Sequence, residues 1–162
     1  MEFDVAILGG GSAGYAAASS AQSHGARVAI VDPGPLGGLC ILRGCMPTKT
    51  ILRSSDIISL MRRAKEFGLL PVEPVADLAA INARKNQLIE EFTDYRVEQL
   101  KDPRFTLIQE KAEFTSPNEV QVGTSKLKAK SFIIATGSVI ADYPILGLKE
   151  TGFVTSDDAL TM

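Results

Sequence analysis

Short apolar runs separated by longer mixed stretches divide this chain of 162 residues. Phe3-Asp4-Val5-Ala6-Ile7-Leu8 is apolar and closed by three glycines, a pattern that predicts a buried parallel strand. From Ser12 to about His24 the chain is rich in Ala and Ser and then meets Gly25, which predicts a helix with a glycine stop. Arg27-Val28-Ala29-Ile30-Val31 reads as a second buried strand, ending at Asp32. The three together have the length of one βαβ unit, roughly 30 residues. Pro33 to Cys45 is dense in Gly and Pro and is expected to be a loop.

A helix is expected from near Pro47 to about Phe67, since proline is tolerated in a first turn. Leu70 to Pro74 reads as a loop between helices. A long helix fits Asp77 to about Leu100, with Asp77 as cap and Ile81, Leu88, Phe92, Tyr95 and Leu100 as a partial apolar stripe. After Pro103 the pattern shortens to strands at Phe105–Gln109, Ala112–Thr115, Glu119–Val122 and Ser125–Lys128. Turn signals stand at Ser116-Pro117-Asn118 and at Gly123. Phe132-Ile133-Ile134-Ala135 is expected as a third buried strand, feeding Thr136-Gly137-Ser138. The sum is an α/β protein: a Rossmann-like domain over residues 1–162, with a parallel sheet, a helical insertion and a small antiparallel β-meander.

Composition narrows the function classes. A chain that is 45% hydrophobic and 22% charged, with net charge -2, is globular and gives no electrostatic reason to expect nucleic acid or an anionic membrane as partner. No basic region precedes the first apolar run, and no segment has the length of a membrane span. These features lead to the expectation of a soluble, cytoplasmic protein. Repeats, low-complexity tracts and linker-like runs are not found.

The candidate chemistry lies in two neighbouring motifs. Gly9, Gly11 and Gly14 satisfy G-x-G-x-x-G, following a predicted strand and opening a predicted helix. In that setting Gly9 permits the turn, Gly11 lets the backbone approach a pyrophosphate, and Gly14 lets helix and sheet pack closely. The helix N-terminus, at Ser12 and Ala13, offers unpaired N–H groups to phosphates. Asp32, 18 residues after Gly14, stands where an acid can bind ribose hydroxyls. The only two cysteines, Cys40 and Cys45, are separated by four residues and follow this unit. Such a pair can form a disulfide that a bound flavin reduces. Two buried thiols, a structural disulfide or half of a metal site are the other readings; the spacing is wider than C-x-x-C, one histidine offers no ligand set, and no metal is expected.

The chain resembles the N-terminal FAD-binding segment of the pyridine nucleotide-disulfide oxidoreductases, the group of dihydrolipoyl dehydrogenase, glutathione reductase and mercuric reductase. The resemblance rests on Gly9–Gly14, on the run from Gly37 to Lys49 with both cysteines and Pro47-Thr48-Lys49, and on Ala135-Thr136-Gly137-Ser138. It implies FAD as cofactor, held by Gly9, Gly11, Ser12, Ala13, Gly14, Asp32, Gly38, Leu39, Cys40, Lys49, Ala112, Thr136 and Gly137. It implies Cys45 as the thiol next to the flavin and Cys40 as the thiol that exchanges with a substrate disulfide. The position of Cys45 just before a helix start favours a thiolate there. Lys49 falls where the family keeps a lysine near the flavin ring, and Ala112 where a backbone meets the adenine.

Several positions depart from the family pattern. Asp32 replaces the more usual Glu and reaches less far; Leu39 replaces a common Thr and removes a hydroxyl near the cofactor; Met46 and Thr48 are mild variants. The intact cysteine pair argues against the transhydrogenase branch, which lacks it. His24 does not match the family's acid–base histidine and reads as an ordinary helix-end residue. No second G-x-G-x-x-G is present, so the chain is expected to be a fragment without the NAD(P)-binding and C-terminal dimerisation domains. The intact enzyme is then expected to be a homodimer that passes electrons between NAD(P)H, FAD and a small-molecule or protein-bound disulfide, the fragment itself being inactive. A mercuric-reductase-like enzyme, a non-catalytic flavin- or nucleotide-binding module and an NAD-binding module are the rival readings.

Overall fold

The computed structural model describes residues 1–141 and 143–162. Six strands form one sheet: β1 (Glu2–Leu8), β2 (Val28–Val31), β3 (Phe105–Ile108), β4 (Ala112–Ser116), β5 (Glu119–Val122) and β6 (Ser125–Ile134), in the order β3-β2-β1-β6-β5-β4. β3, β2, β1 and the second half of β6 are parallel; the β4–β5–β6 meander is antiparallel. Helices α1 (Ser12–Ser23), α2 (Gly38–Arg43), α3 (Cys45–Arg62), α4 (Leu78–Leu100) and α5 (Ser156–Ala159) complete the fold.

Strand alternation builds two cores. On one face of β1 and β2, Ile7, Val28 and Ile30 pack with Ala18 of α1 and Leu100 of α4. On the other face, the smaller Ala6 and Ala29, with Leu8 and Val31, pack with Val120, Val122, Leu127 and Ala129 of the meander. The parallel strands are therefore covered on both sides, by helices and by the meander, as their near-continuous apolar runs require. α1 ends before Gly25, and Asp77 caps α4 by accepting from Ala80 N–H at 3.0 Å.

The structure corrects five expectations. The stretch from Pro33 to Cys45 is not all loop: Gly38–Arg43 forms α2, anchored by buried Ile41. The helix expected from Pro47 begins at Cys45, and its last part, Ala64–Phe67, is a separate 3₁₀ turn. The strands expected at Ser125–Lys128 and Phe132–Ala135 are one strand, because Leu127 and Ala129 point inward while the intervening lysines face solvent. Its end is not buried: pairing with β5 stops at Lys128, and Ile134 is 68% exposed. On α4, Phe92 and Tyr95 are exposed and Lys85 is buried, so the apolar stripe is incomplete.

Candidate functional site

Three motifs distant in sequence meet at the C-terminal edge of β1. Gly9 leaves β1 with φ +107°, and a Cβ there would lie 2.3 Å from the Ala135 carbonyl oxygen and 3.2 Å from the Thr136 Cα, so only glycine lets Ala135 and Thr136 pass this close. Gly38 lies against Gly11, where an added Cβ would come 2.5 Å from the Gly11 Cα. The glycine fingerprint, the start of the cysteine run and the Ala135-Thr136-Gly137 turn thus share one backbone junction.

The N-terminus of α1 opens at this junction. Its N-cap is Gly11, which supplies no side-chain acceptor, so the first-turn N–H groups of Ser12 and Ala13 are left uncapped by any side chain. Uncapped amides beside close-packed glycines form a cradle of the kind that takes a pyrophosphate, and the residues fit a dinucleotide on that ground. Asp32 lies beneath the turn, 9% exposed. Its Oδ2 accepts from Gly10 N–H at 2.6 Å and its Oδ1 from Gly34 N–H at 2.8 Å. Both carboxylate oxygens therefore hold the loop backbone, a role that its position at the end of β2 did not disclose.

The cysteines sit on consecutive helices. Cys40 is in the middle of α2 and partly buried; Cys45 is the first residue of α3 and exposed; both are free thiols. Gly44 joins the helices, and a Cβ there would meet the Leu39 carbonyl oxygen at 2.8 Å and the Cys40 Cα at 3.1 Å. This close return brings Cys45 back to Cys40. The side chain of Cys45 pushes the Cys40 thiol above its ordinary 9.0, burial adds to the rise, and Ser12 at the head of α1 works in the opposite direction. Lys49 follows Cys45 by four residues on α3, so the two share one helix side, and both are exposed. Leu39 is exposed beside Cys40 on α2.

Not every expected residue is at this junction by direct contact. Ala112 opens β4, partly buried against the meander core, with its backbone paired to Val122. His24 is the exposed C-cap of α1, with Nδ1 2.8 Å from the Ser20 carbonyl oxygen. Sequence reasoning gave no role to Gly10 or Gly44; a glycine directly before the second cysteine was the available signal for the latter. Among the described residues no group of three or more His, Cys, Asp or Glu is arranged to hold a metal ion, and no helix is long and apolar enough to cross a membrane.

Known proteins resemble the chain over nearly its whole length. The chain is 35% identical over 162 residues to a mercuric reductase of Staphylococcus aureus, covering 99% of this chain and 30% of that protein. It is 37% identical over 150 residues to a dihydrolipoyl dehydrogenase of Acholeplasma laidlawii, covering 92% and 45%. Among solved structures, the Cu(II) complex of the HOCl-induced flavoprotein disulfide reductase RclA from Escherichia coli matches with TM-score 0.79 and 26% identity, over 98% of this chain and 34% of that one. The chain thus spans between about a third and a half of the length of these relatives. The sequence model described as pyridine nucleotide-disulphide oxidoreductase matches residues 3–161, and the chain belongs to that family.

Proposed function

We propose that residues 1–162 are the FAD-binding, redox-dithiol portion of an NAD(P)H-dependent disulfide oxidoreductase. The observation that carries this reading is the contact of Gly38 with Gly11, which sets the cysteine-bearing helix directly on the dinucleotide cradle. The uncapped amides of Ser12 and Ala13 bind the pyrophosphate, with Gly9, Gly11 and Gly14 allowing the approach. Gly38, Leu39, Cys40, Lys49, Thr136 and Gly137 would hold the flavin part of the cofactor, and the backbone of Ala112 would meet its adenine. FAD, when bound, supplies two-electron chemistry that this chain's own side chains lack.

The residues of the chain perform the exchange. The Cys40 thiolate attacks a substrate disulfide, forming a mixed disulfide and releasing one substrate thiol. Cys45 then attacks the Cys40 sulfur, closing the Cys40–Cys45 disulfide and releasing the second thiol. Net, one disulfide is reduced and two protein thiols are oxidised; the two electrons that reopen the pair are chemistry that FAD would supply when bound. Cys45 stands at N1 of α3, with Lys49 one turn on along the same side of the helix. The dihydrolipoyl dehydrogenase direction runs the same steps in reverse.

The names of the relatives divide the substrate between a disulfide and a thiophilic metal ion, which the same two thiols would hold as substrate. The intact protein is a homodimer in this reading. The test is the visible spectrum of the purified chain with FAD, before and after stepwise reduction. Bound flavin with a new long-wavelength band, absent in Cys45→Ala, supports the assignment. Bound flavin with the same reduced spectrum in both proteins counts against the dithiol role and leaves a plain flavin-binding module.

A further inference from the structure

Helix α2 takes its orientation from its neighbours: Gly38 seats its start on Gly11, and Gly44 turns its end into α3. It has six residues, too few for stability alone, and both of its flanking glycines lack side-chain caps. Ile41 is its one buried residue. Beneath it lies a cavity of about 340 Å³, bordered by Leu42, Ile89 and Leu160 and by the charged Arg43, Lys85 and Asp157, with Glu90 and Asp94 also facing it. α2 meets α4 at its start, where a Cβ on Gly37 would come 3.6 Å from Thr93, and the cavity opens beside that contact, between Leu42 and Arg43 on one side and Lys85 and Ile89 on the other.

The segment 155–162 spans it. Arg43 of α2 pairs with Asp157 at 3.3 Å. Lys85 of α4 is 5% exposed, and its ammonium donates to the Leu160 carbonyl oxygen and, at 3.2 Å, to Asn82 Oδ1. Asn82 Nδ2 donates to the Met162 carbonyl oxygen at 2.7 Å. The segment is also ordered internally by a reciprocal capping box between Thr155 and Asp158. A half-exposed ion pair alone contributes little. A buried ammonium whose partners are a backbone carbonyl and an amide oxygen is a firmer anchor, because withdrawing the carbonyl leaves the charge under-satisfied.

We propose that 155–162 is a strap that fixes the Cys40 helix to α4, with Lys85 as its anchor and Arg43–Asp157 as its link to α2, so that these are positioning residues for Cys40. The inference rests on the dithiol reading for its importance, but it is tested without flavin or turnover. When the strap is released, α2 loses its tie to α4 and Cys40 leaves its partial burial, one of the influences that hold its thiol up.

The experiment follows alkylation of the reduced chain by iodoacetamide across a pH series, in Asp157→Asn, Lys85→Met and Asp157→Glu. Trypsin cuts after Arg43, which places Cys40 and Cys45 on different peptides for mass spectrometry. In Asp157→Asn and Lys85→Met, Cys40 alkylation at pH 8 should rise by about threefold or more, its pH midpoint falling, with Cys45 changed by less than about twofold. Asp157→Glu should restore the native profile. In Lys85→Met, amide exchange over Ala159–Met162 should accelerate by about tenfold or more. If exchange accelerates while the Cys40 profile stays native, or both cysteines gain equally, the strap does not position Cys40. Should Lys85→Met not fold, the Asp157 pair decides the matter alone.

Discussion

Asp32 accepts a hydrogen bond from the backbone N–H of Gly10 at 2.6 Å, from beneath the turn that carries the glycine fingerprint. Its other oxygen takes the Gly34 N–H at 2.8 Å. An acid at the end of β2 is therefore part of the loop's frame, whatever it also offers a ribose. Replacing Asp32 by Ala leaves two loop amides without their acceptor, at a cost of about 1–3 kcal/mol. That loss should be visible in urea unfolding of the chain with no FAD present. A variant of native stability whose FAD affinity alone has fallen would assign Asp32 to the ribose and not to the loop.

Gly44 decides whether the two thiols meet. A methyl group there must displace the Leu39 carbonyl or the Cys40 Cα, which it would approach at 2.8 and 3.1 Å. Gly44→Ala should thus push α2 from α3 while leaving the two cores intact, since neither Gly44 nor α2 contributes much to them. Equilibration against glutathione should show the Cys40–Cys45 disulfide formed about tenfold less readily, or roughly 1.4 kcal/mol. An unchanged equilibrium would mean that the helices adjust without parting the sulfurs.

What the chain's pattern disclosed and what it concealed follow from the range of the interactions involved. The continuous apolar run Val5-Ala6-Ile7-Leu8 is local, and it correctly marked a strand covered on both faces. Asp77 as a cap was also legible, because the cap bond spans three residues. α2 was not, because Pro33, Pro35, Gly37 and Gly38 signal a loop and its helical turn depends on Ile41 finding a tertiary partner. β6 was split because Lys126, Lys128, Lys130 and Ser131 look like an interruption, although alternate positions between them are buried. Lys85 carried no sign of burial: its partner Leu160 lies 75 residues away. The glycine and cysteine motifs pointed to the candidate site, while the parts played by Gly10 and Gly44 depend on their contacts with Asp32, Leu39 and Cys40.

The two cysteines should not titrate alike. Cys45 raises the Cys40 thiol above 9.0, chiefly by its side-chain hydrogen bond, with burial next and its charge after that. The sign is that of a neighbour disfavouring the anion. Alkylation of Cys40 should accordingly have a midpoint above pH 9 in the wild-type chain and a lower one in Cys45→Ala. Mass spectrometry of the Cys40 peptide across pH 7 to about 10.5 reads this directly. A midpoint that stays put in Cys45→Ala would show that burial, and not the second thiol, sets Cys40.

Acid should weaken the sheet through Asp4. This residue of β1 accepts from the Arg27 N–H beside β2 at 2.8 Å and pairs with Lys130 of β6 at 2.8 Å, linking three neighbouring strands at their N-terminal end in β1 and β2. The hydrogen bond from Lys130, followed by that from the Arg27 backbone, lowers its carboxyl from 3.8 to about 2. A carboxylate lowered on folding binds protons less readily in the folded chain than in the unfolded one. Its stabilising effect is hence complete above about pH 4 and is lost as pH falls toward about 2, the range between the two values. Glu119, lowered in the same direction by Lys126 and Thr115, adds to the trend. Asp4→Asn removes the titrating group but keeps an acceptor oxygen, so urea midpoints of wild type and variant should differ at pH 5 and draw together as pH nears about 2. Parallel curves across that range would show that the contacts of Asp4 do not distinguish the folded carboxylate from the unfolded one.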